Sequence, residues 1–177
     1  MLYPDRDLVP DRKKGPGWKK VVVFILIGVL IGKIGSSAVQ RWILFPMRVA
    51  SSDMAPAIPS GTTLLIYRLV SPEGLTHGDI ALFRHPESPS LYMLRRIVAL
   101  PGETIEIRGG IPFRDGTPVA EITVEPSGDG ASLIPDAAPI RIGAEQFYVM
   151  ADRQSTGVDS KGFGPVPFES LVGKGLK

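Results

Sequence analysis

The sequence predicts a mainly β domain of short antiparallel strands behind a single N-terminal transmembrane helix, and three observations predict it. The 177 residues include 20 Gly and 17 Pro, which interrupt the Val, Ile and Leu bursts too often for long helices and suit strands joined by turns. From Val21 to Gly32 every residue is apolar or Gly. Past roughly residue 40 the remaining chain is long enough to bury one sizeable core.

These observations divide the chain into a basic tail (1–20), an anchor (21–39) and one domain (40–177). If Lys33 is tolerated, the low-polarity stretch runs on to Val39, about the 20 residues that a bilayer crossing needs. Lys33 would cost about 2.5 to 3.5 kcal/mol at the bilayer centre. It stands past the midpoint, where its four-carbon stem carries the ammonium toward the interface. Arg6, Arg12, Lys13, Lys14, Lys19 and Lys20 precede the stretch, against Arg41 and Arg48 after it. That excess holds the N terminus in the cytoplasm and leaves the domain outside the plasma membrane, with the lipid bilayer as a partner. A cleaved signal peptide, with Ser36-Ser37-Ala38 as its cleavage region, competes for the same stretch. So does a soluble buried helix, although the basic flank has no evident role in it.

Arg41 to Val49 alternates imperfectly and contains Pro46-Met47, which suggests an extended tether leading into the sheet. Thr62 to Leu69 follows the turn signal Pro59-Ser60-Gly61, and Ile80 to Arg84 follows His77-Gly78-Asp79; both read as strands. Leu91 to Leu100 is apolar apart from Arg95 and Arg96, and stops at the turn-forming Pro101-Gly102. Thr104 to Arg108, Ile111 to Phe113, Val119 to Val124 and Gln146 to Met150 complete the predicted strands. Between Glu125 and Pro139 no period is visible, so the segment reads as a variable surface loop.

Composition removes several function classes. A net charge of +2, without basic residues interleaved with aromatics beyond the tail, argues against nucleic acid. With no cysteine there is no thiolate nucleophile, and His77 and His85 are too few for a His-rich metal site, so no cofactor is expected. No GxSxG signature is present, and neither histidine carries a distinctive motif.

Four segments carry the chemistry in order: Ser51-Ser52-Asp53-Met54-Ala55-Pro56, Gly78-Asp79-Ile80, Arg95-Arg96-Ile97-Val98-Ala99-Leu100-Pro101-Gly102-Glu103, and Asp159-Ser160-Lys161-Gly162-Phe163-Gly164. Their order and spacing resemble the type I signal peptidases, the serine–lysine S26-type peptidases, over roughly Val21 to the end. Phe147-Tyr148-Val149-Met150-Ala151-Asp152 resembles that family's Tyr-Phe-Val-Met-Gly-Asp, and Val172-Gly173-Lys174 its closing Val-Gly-Lys. The resemblance implies a signal-peptidase-like β fold behind a membrane segment.

It also implies where this chain departs. The family's nucleophilic serine maps to Asp53, the lysine serving as general base to Arg95, and a serine oriented to that lysine to Gly157. Ser51 matches the oxyanion-type position. Met54, Pro56, Arg96, Asp159, Ser160 and Lys161 match structural positions around the site. The peptide groove maps to Pro46, Met47, Arg48, Val49, Ala50 and Ser51 on one side and Tyr92, Met93, Leu94 and Arg95 on the other.

A guanidinium stays protonated below about pH 12, so Arg95 cannot take a proton from a serine. A carboxylate at 53 would attack an amide only through an anhydride, and no positioned acid serves the leaving amine. The two replacements complement each other, which predicts a bidentate Asp53–Arg95 salt bridge. The resemblance therefore implies a degenerate member that binds exported polypeptides or assists their assembly, as some signal-peptidase-like proteins encoded with pilus components do, with a partner peptidase or pilus components as further partners. An active signal peptidase using Ser51 or Ser52 is the alternative. A self-cleaving repressor of the same serine–lysine fold conflicts with the membrane segment.

Overall fold

The computed structural model describes residues 17–122, 136–153 and 157–176, with the backbone alone described at 34 and 36–42. The chain divides into two compact units between Gln40 and Arg41. The first contains most of α1 (Trp18–Trp42). Its apolar side chains are uncovered, Phe24 being 72 % and Leu26 62 % exposed. Among the described residues no helix is long and apolar enough to cross a membrane. Most of the basic tail, residues 1–16, lies outside the described residues.

The second unit is built from β1 (Leu44–Arg48), β2 (Thr63–Tyr67), β3 (Ile80–His85), β4 (Ser88–Ala99), β5 (Thr104–Arg108), β6 (Ile111–Arg114), β7 (Thr117–Pro118), β8 (Ala137–Arg141), β9 (Gln146–Met150), α2 (Ser160–Phe163), β10 (Val166–Pro167) and β11 (Leu171–Leu176). Among the described residues these strands make a seven-stranded sheet, ordered β1-β2-β11-β3-β4-β9-β10, and a four-stranded sheet, ordered β7-β6-β5-β8. Every pairing is antiparallel. The mainly β expectation holds.

The core follows the two-residue period of strands. In β3, Ile80 and Leu82 pack with Val49, Met54, Leu64 and Leu94 on one face. Ala81 and Phe83 pack with Met93, Ile97, Phe147 and Val166 on the other. Burial on both faces explains why Ile80-Ala81-Leu82-Phe83 is an unbroken apolar run rather than an alternating one. A third cluster joins Ile105, Ile107 and Ile142 to Val98, Tyr148 and Met150, and so fastens the small sheet to the large one.

Three expectations need correction. Val119 to Val124 is not a strand where described: β7 ends at Pro118, and Val119 and Ile122 are buried as core plugs three residues apart. The loop expected over 125–139 contains the start of β8, while its residues through 135 lie outside the described ones. Pro139 concealed β8. A proline is tolerated on an edge strand, and among the described residues β8 pairs only with β5, at Ile105↔Ile140 and Ile107↔Ala137. The tether is shorter than expected, because α1 continues to Trp42 and only Leu44–Arg48 forms β1.

Candidate functional site

The chain leaves β1 at Val49, buried against Met54 and Leu64, and turns through residues 52–58. Ala55 N–H donates to the Ser52 carbonyl at 3.0 Å and Ile58 N–H to that of Met54 at 2.7 Å. Met54, only 1 % exposed, pins this turn to the core, and the Ala55–Pro56 peptide within it is cis. Asp53 is held at its carbonyl by the N–H of Arg153, 2.8 Å away. Ser51 and Ser52 are exposed, and the Ser51 Oγ lies 3.5 Å from the Asp53 N–H.

Asp53 and Arg95, 42 positions apart, meet: a terminal guanidinium nitrogen of Arg95 donates to Asp53 Oδ2 at 2.9 Å. The contact is single, not the bidentate pair expected. The rest of the fork is committed elsewhere, Nε to the Val158 carbonyl at 2.7 Å and the other terminal nitrogen to the Leu94 carbonyl at 2.6 Å. Arg95 is buried and its side chain is 4 % exposed, so satisfying all three nitrogens offsets the desolvation of the charge. The Asp53 side chain is 22 % exposed.

The neighbouring cation makes the fork that Arg95 does not. Arg96 donates to both oxygens of Asp152, at 2.7 and 2.5 Å, and to the Gly78 carbonyl at 2.8 Å. Asp159, fully buried, accepts from the N–H groups of Ala151 and Lys161, both at 3.0 Å, and from Lys161 Nζ at 2.6 Å. As the N-cap of α2 it sets the direction in which Ser160 enters the core, and Ser160 Oγ there accepts from Val149 N–H at 3.1 Å.

Burial, and secondarily the Asp159 carboxylate, push the Tyr148 phenol well above its ordinary 10.0. A raised acid is neutral in the fold, so its stabilisation is complete below about pH 10 and is lost as the unfolded chain ionises above it. Denaturation midpoints from about pH 9 to about pH 11 should fall more steeply in the parent than in Tyr148→Phe. Parallel slopes would sink this assignment.

One groove of about 440 Å³ joins the two ends of the constellation. Met47, Arg48, Val49, Ala50, Ser51 and Asp53 line one side and Tyr92, Met93, Leu94 and Arg95 the other. Pro46, on β1 opposite Leu65, does not line it. Sequence reasoning missed His85, Leu91 and Val158, which also line it. Leu91 adjoins the expected segment and could have been included, whereas Val158 acts through a carbonyl and leaves no side-chain signal. His85 Nδ1 accepts from Glu87 N–H at 3.1 Å, which places the proton of the neutral ring on Nε2. A second cavity, of about 470 Å³, is lined by His77, Asp79, Arg96, Glu121 and Lys174 but by neither Asp53 nor Arg95. Among the described residues no group of three or more His, Asp or Glu could hold a metal ion.

This geometry belongs to a chain whose residues 18–176 match the family model described as "Signal peptidase, peptidase S26". The chain belongs to that family. It is 26 % identical over 162 residues to signal peptidase I T of Bacillus subtilis (strain 168), covering 88 % of this chain and 79 % of that one. It is 29 % identical over 143 residues to the probable signal peptidase I-1 of Synechocystis sp., covering 74 % and 68 %. A crystal structure of a signal peptidase I from Enterococcus faecalis V583 aligns with a TM-score of 0.49 at 20 % identity, covering 58 % of this chain and 97 % of that one.

Within the signal peptidase frame, Gly157 is a steric necessity. A Cβ there would stand 2.1 Å from the Ala151 Cβ and 2.9 Å from the Arg153 carbonyl oxygen. Ala151 and Gly157 thus share one contact in which only one of the two positions has room for a Cβ. Gly157→Ser should cost about 1–3 kcal/mol through overpacking. Adding Ala151→Gly should return much of that loss, a non-additivity that a double-mutant cycle of thermal unfolding measures directly.

Proposed function

We propose that this protein holds extended segments of exported polypeptides in the Asp53–Arg95 groove at the membrane surface without cleaving them. The observation that carries the reading is the ion pair itself. The two groups at the positions matching nucleophile and base are spent on one another at 2.9 Å, and a guanidinium cannot accept the proton that serine attack releases. What remains is a groove flanked by strands with mostly apolar lining, suited to a peptide that adds as a strand. α1 serves as the anchor. Its described residues do not by themselves reach the length and apolarity of a crossing, but the apolar side chains between Val21 and Ile31 are uncovered, and the basic residues before them would set the N terminus in the cytoplasm. Signal peptides or the mature parts of exported proteins are the clients, with a partner peptidase or pilus components as assembly partners.

Active signal peptide removal is the second reading. The relatives are named signal peptidases, and Ser51 lines the same groove with an exposed side chain. The two readings separate in one assay: purified full-length protein in detergent, a preprotein bearing a standard signal peptide, and mass-spectrometric detection of the released fragment. Binding without release supports the holding role. Release that Ser51→Ala abolishes establishes the peptidase and overturns it.

A further inference from the structure

Two strand edges face the groove, and their hydrogen-bonding groups can be assigned from the ladders beside them. In β4, Ile97 N–H donates to the Asp79 carbonyl and the Ile97 carbonyl accepts from Gly78 N–H, both at 2.9 Å. Ile97 is thus bonded toward the β3 side. Antiparallel ladders alternate bonded and non-bonded pairs, so Arg95 and Met93, opposite Ala81 and Phe83, also bond toward β3. Tyr92 and Leu94 then direct their N–H and C=O groups to the other edge. β9 pairs with that edge only from Arg96 onward, which leaves it open at Tyr92 and Leu94 among the described residues.

The same reasoning applies to β1. Val49 N–H donates to the Thr62 carbonyl at 2.8 Å and the Val49 carbonyl accepts from Gly61 N–H at 2.7 Å. Val49, and by alternation Met47 and Phe45, therefore bond toward β2, while Arg48 and Ala50 direct their N–H and C=O groups outward and Pro46, which has no N–H, its carbonyl alone. β1 is the edge of its sheet, so this side too is open among the described residues.

At the Asp53 end both edges are already capped. The Leu94 carbonyl accepts from the Arg95 guanidinium at 2.6 Å, and the Ala50 carbonyl accepts from Ser60 Oγ at 3.0 Å. These are the outward acceptors nearest Asp53 on each side of the groove. A docking strand would have to share the first acceptor with, or displace, a buried, charge-assisted hydrogen bond at 2.6 Å, either of which weakens the pairing there.

We propose that Arg95 and Ser60 set the register of the groove: an extended polypeptide pairs with β1 at Arg48 and with β4 around Tyr92, and its strand pairing stops short of Asp53. Arg95 thereby does more than replace a base. It ends the track along which a bound chain would be carried up to position 53, so the client either terminates there or turns away. This inference rests on the holding role proposed above, and the test separates the two.

The probes are synthetic peptides spanning the cleavage region of a standard signal peptide, shortened one residue at a time from either end. Their affinities for the full-length protein in detergent are read by fluorescence anisotropy. For the parent, removing residues from the end beyond the stop should change Kd less than about twofold, because a single hydrogen bond contributes about two- to tenfold. In the Arg95→Lys, Ser60→Ala variant the same removals should weaken binding about fivefold or more. Ser60→Ala alone, at an exposed position that places no burden on folding, should show part of that gain. A parent that loses affinity for every residue removed from both ends, or variants that match it, overturn the register stop. A silent parent with a binding variant supports the stop and overturns the holding role; silence in all of them overturns both.

Discussion

Asp53→Ser combined with Arg95→Lys should cleave a preprotein bearing a standard signal peptide at least about 10³-fold faster than the parent, since deleting one member of a serine protease triad costs about 10⁴–10⁶ in kcat. Neither single change should suffice. With Asp53→Ser alone, the introduced hydroxyl faces a guanidinium that does not deprotonate at working pH. With Arg95→Lys alone, the new ammonium sits beside the Asp53 carboxylate, and an opposite charge at ion-pair distance favours the charged form of an amine. In the double variant that carboxylate is gone, while the amine occupies a place where the parent side chain is 4 % exposed. Desolvation then lowers its pKa and supplies the neutral amine that serine attack requires.

The double variant should also open the groove. Lysine lacks the fork that holds the Leu94 carbonyl, the Val158 carbonyl and the aspartate together, so a peptide strand gains the acceptor that the parent keeps capped. Ser51, whose Oγ lies 3.5 Å from the N–H of residue 53, lines the same groove. Adding Ala151→Gly with Gly157→Ser should raise the rate further by returning a hydroxyl to the loop beside the base. The activity arm is read by timed release of mature protein, and unfolding midpoints measured in parallel show that each variant is folded. A folded double variant as inert as the parent would show that the groove differs from a peptidase in more than its reacting pair.

The meeting of Asp53 with Arg95 was legible in the sequence because ordered boxes fix spacing, and spacing across antiparallel strands fixes which side chains meet. Asp53 and Arg95 meet, by one hydrogen bond rather than the bidentate pair expected, while Arg96 bonds to Asp152, Asp159 to Ala151 and Lys161, and Ser160 to Val149. The contacts running through backbone were not legible. Val158 reaches Arg95, and Arg153 reaches Asp53, through a carbonyl and an N–H, and any residue type supplies those. Sharing the guanidinium among three acceptors is likewise invisible to a pairing argument that sees only two opposite charges. The strand at Gln146–Met150 was read from its apolar run. β10 and β11, rich in Gly and Pro, carry no such run and are fixed by their partners β9, β2 and β3.

Arg96→Ala should destabilise the domain by about 3–5 kcal/mol, more than any change at Asp53, because it breaks a buried pair. Both Arg96 and Asp152 have side chains 8 % exposed, and their contact is bidentate. Truncation strands the Asp152 carboxylate and also frees the Gly78 carbonyl at the turn before β3. For a domain of this size that loss lowers the unfolding midpoint by roughly 10–15 °C. Asp53→Ala should cost only about 2 kcal/mol, the worth of one charge-assisted hydrogen bond. Its carboxylate is partly in water, and Arg95 keeps its two carbonyl acceptors. The order of the two losses is the informative quantity, readable from thermal melts of the two variants and an Arg96→Lys control that keeps charge without the fork. A larger loss at Asp53 would make the groove pair the structural keystone. The expected order instead leaves the Asp53–Arg95 position free to change chemistry while Arg96 and Asp152 hold the strand and the loop on which it is mounted.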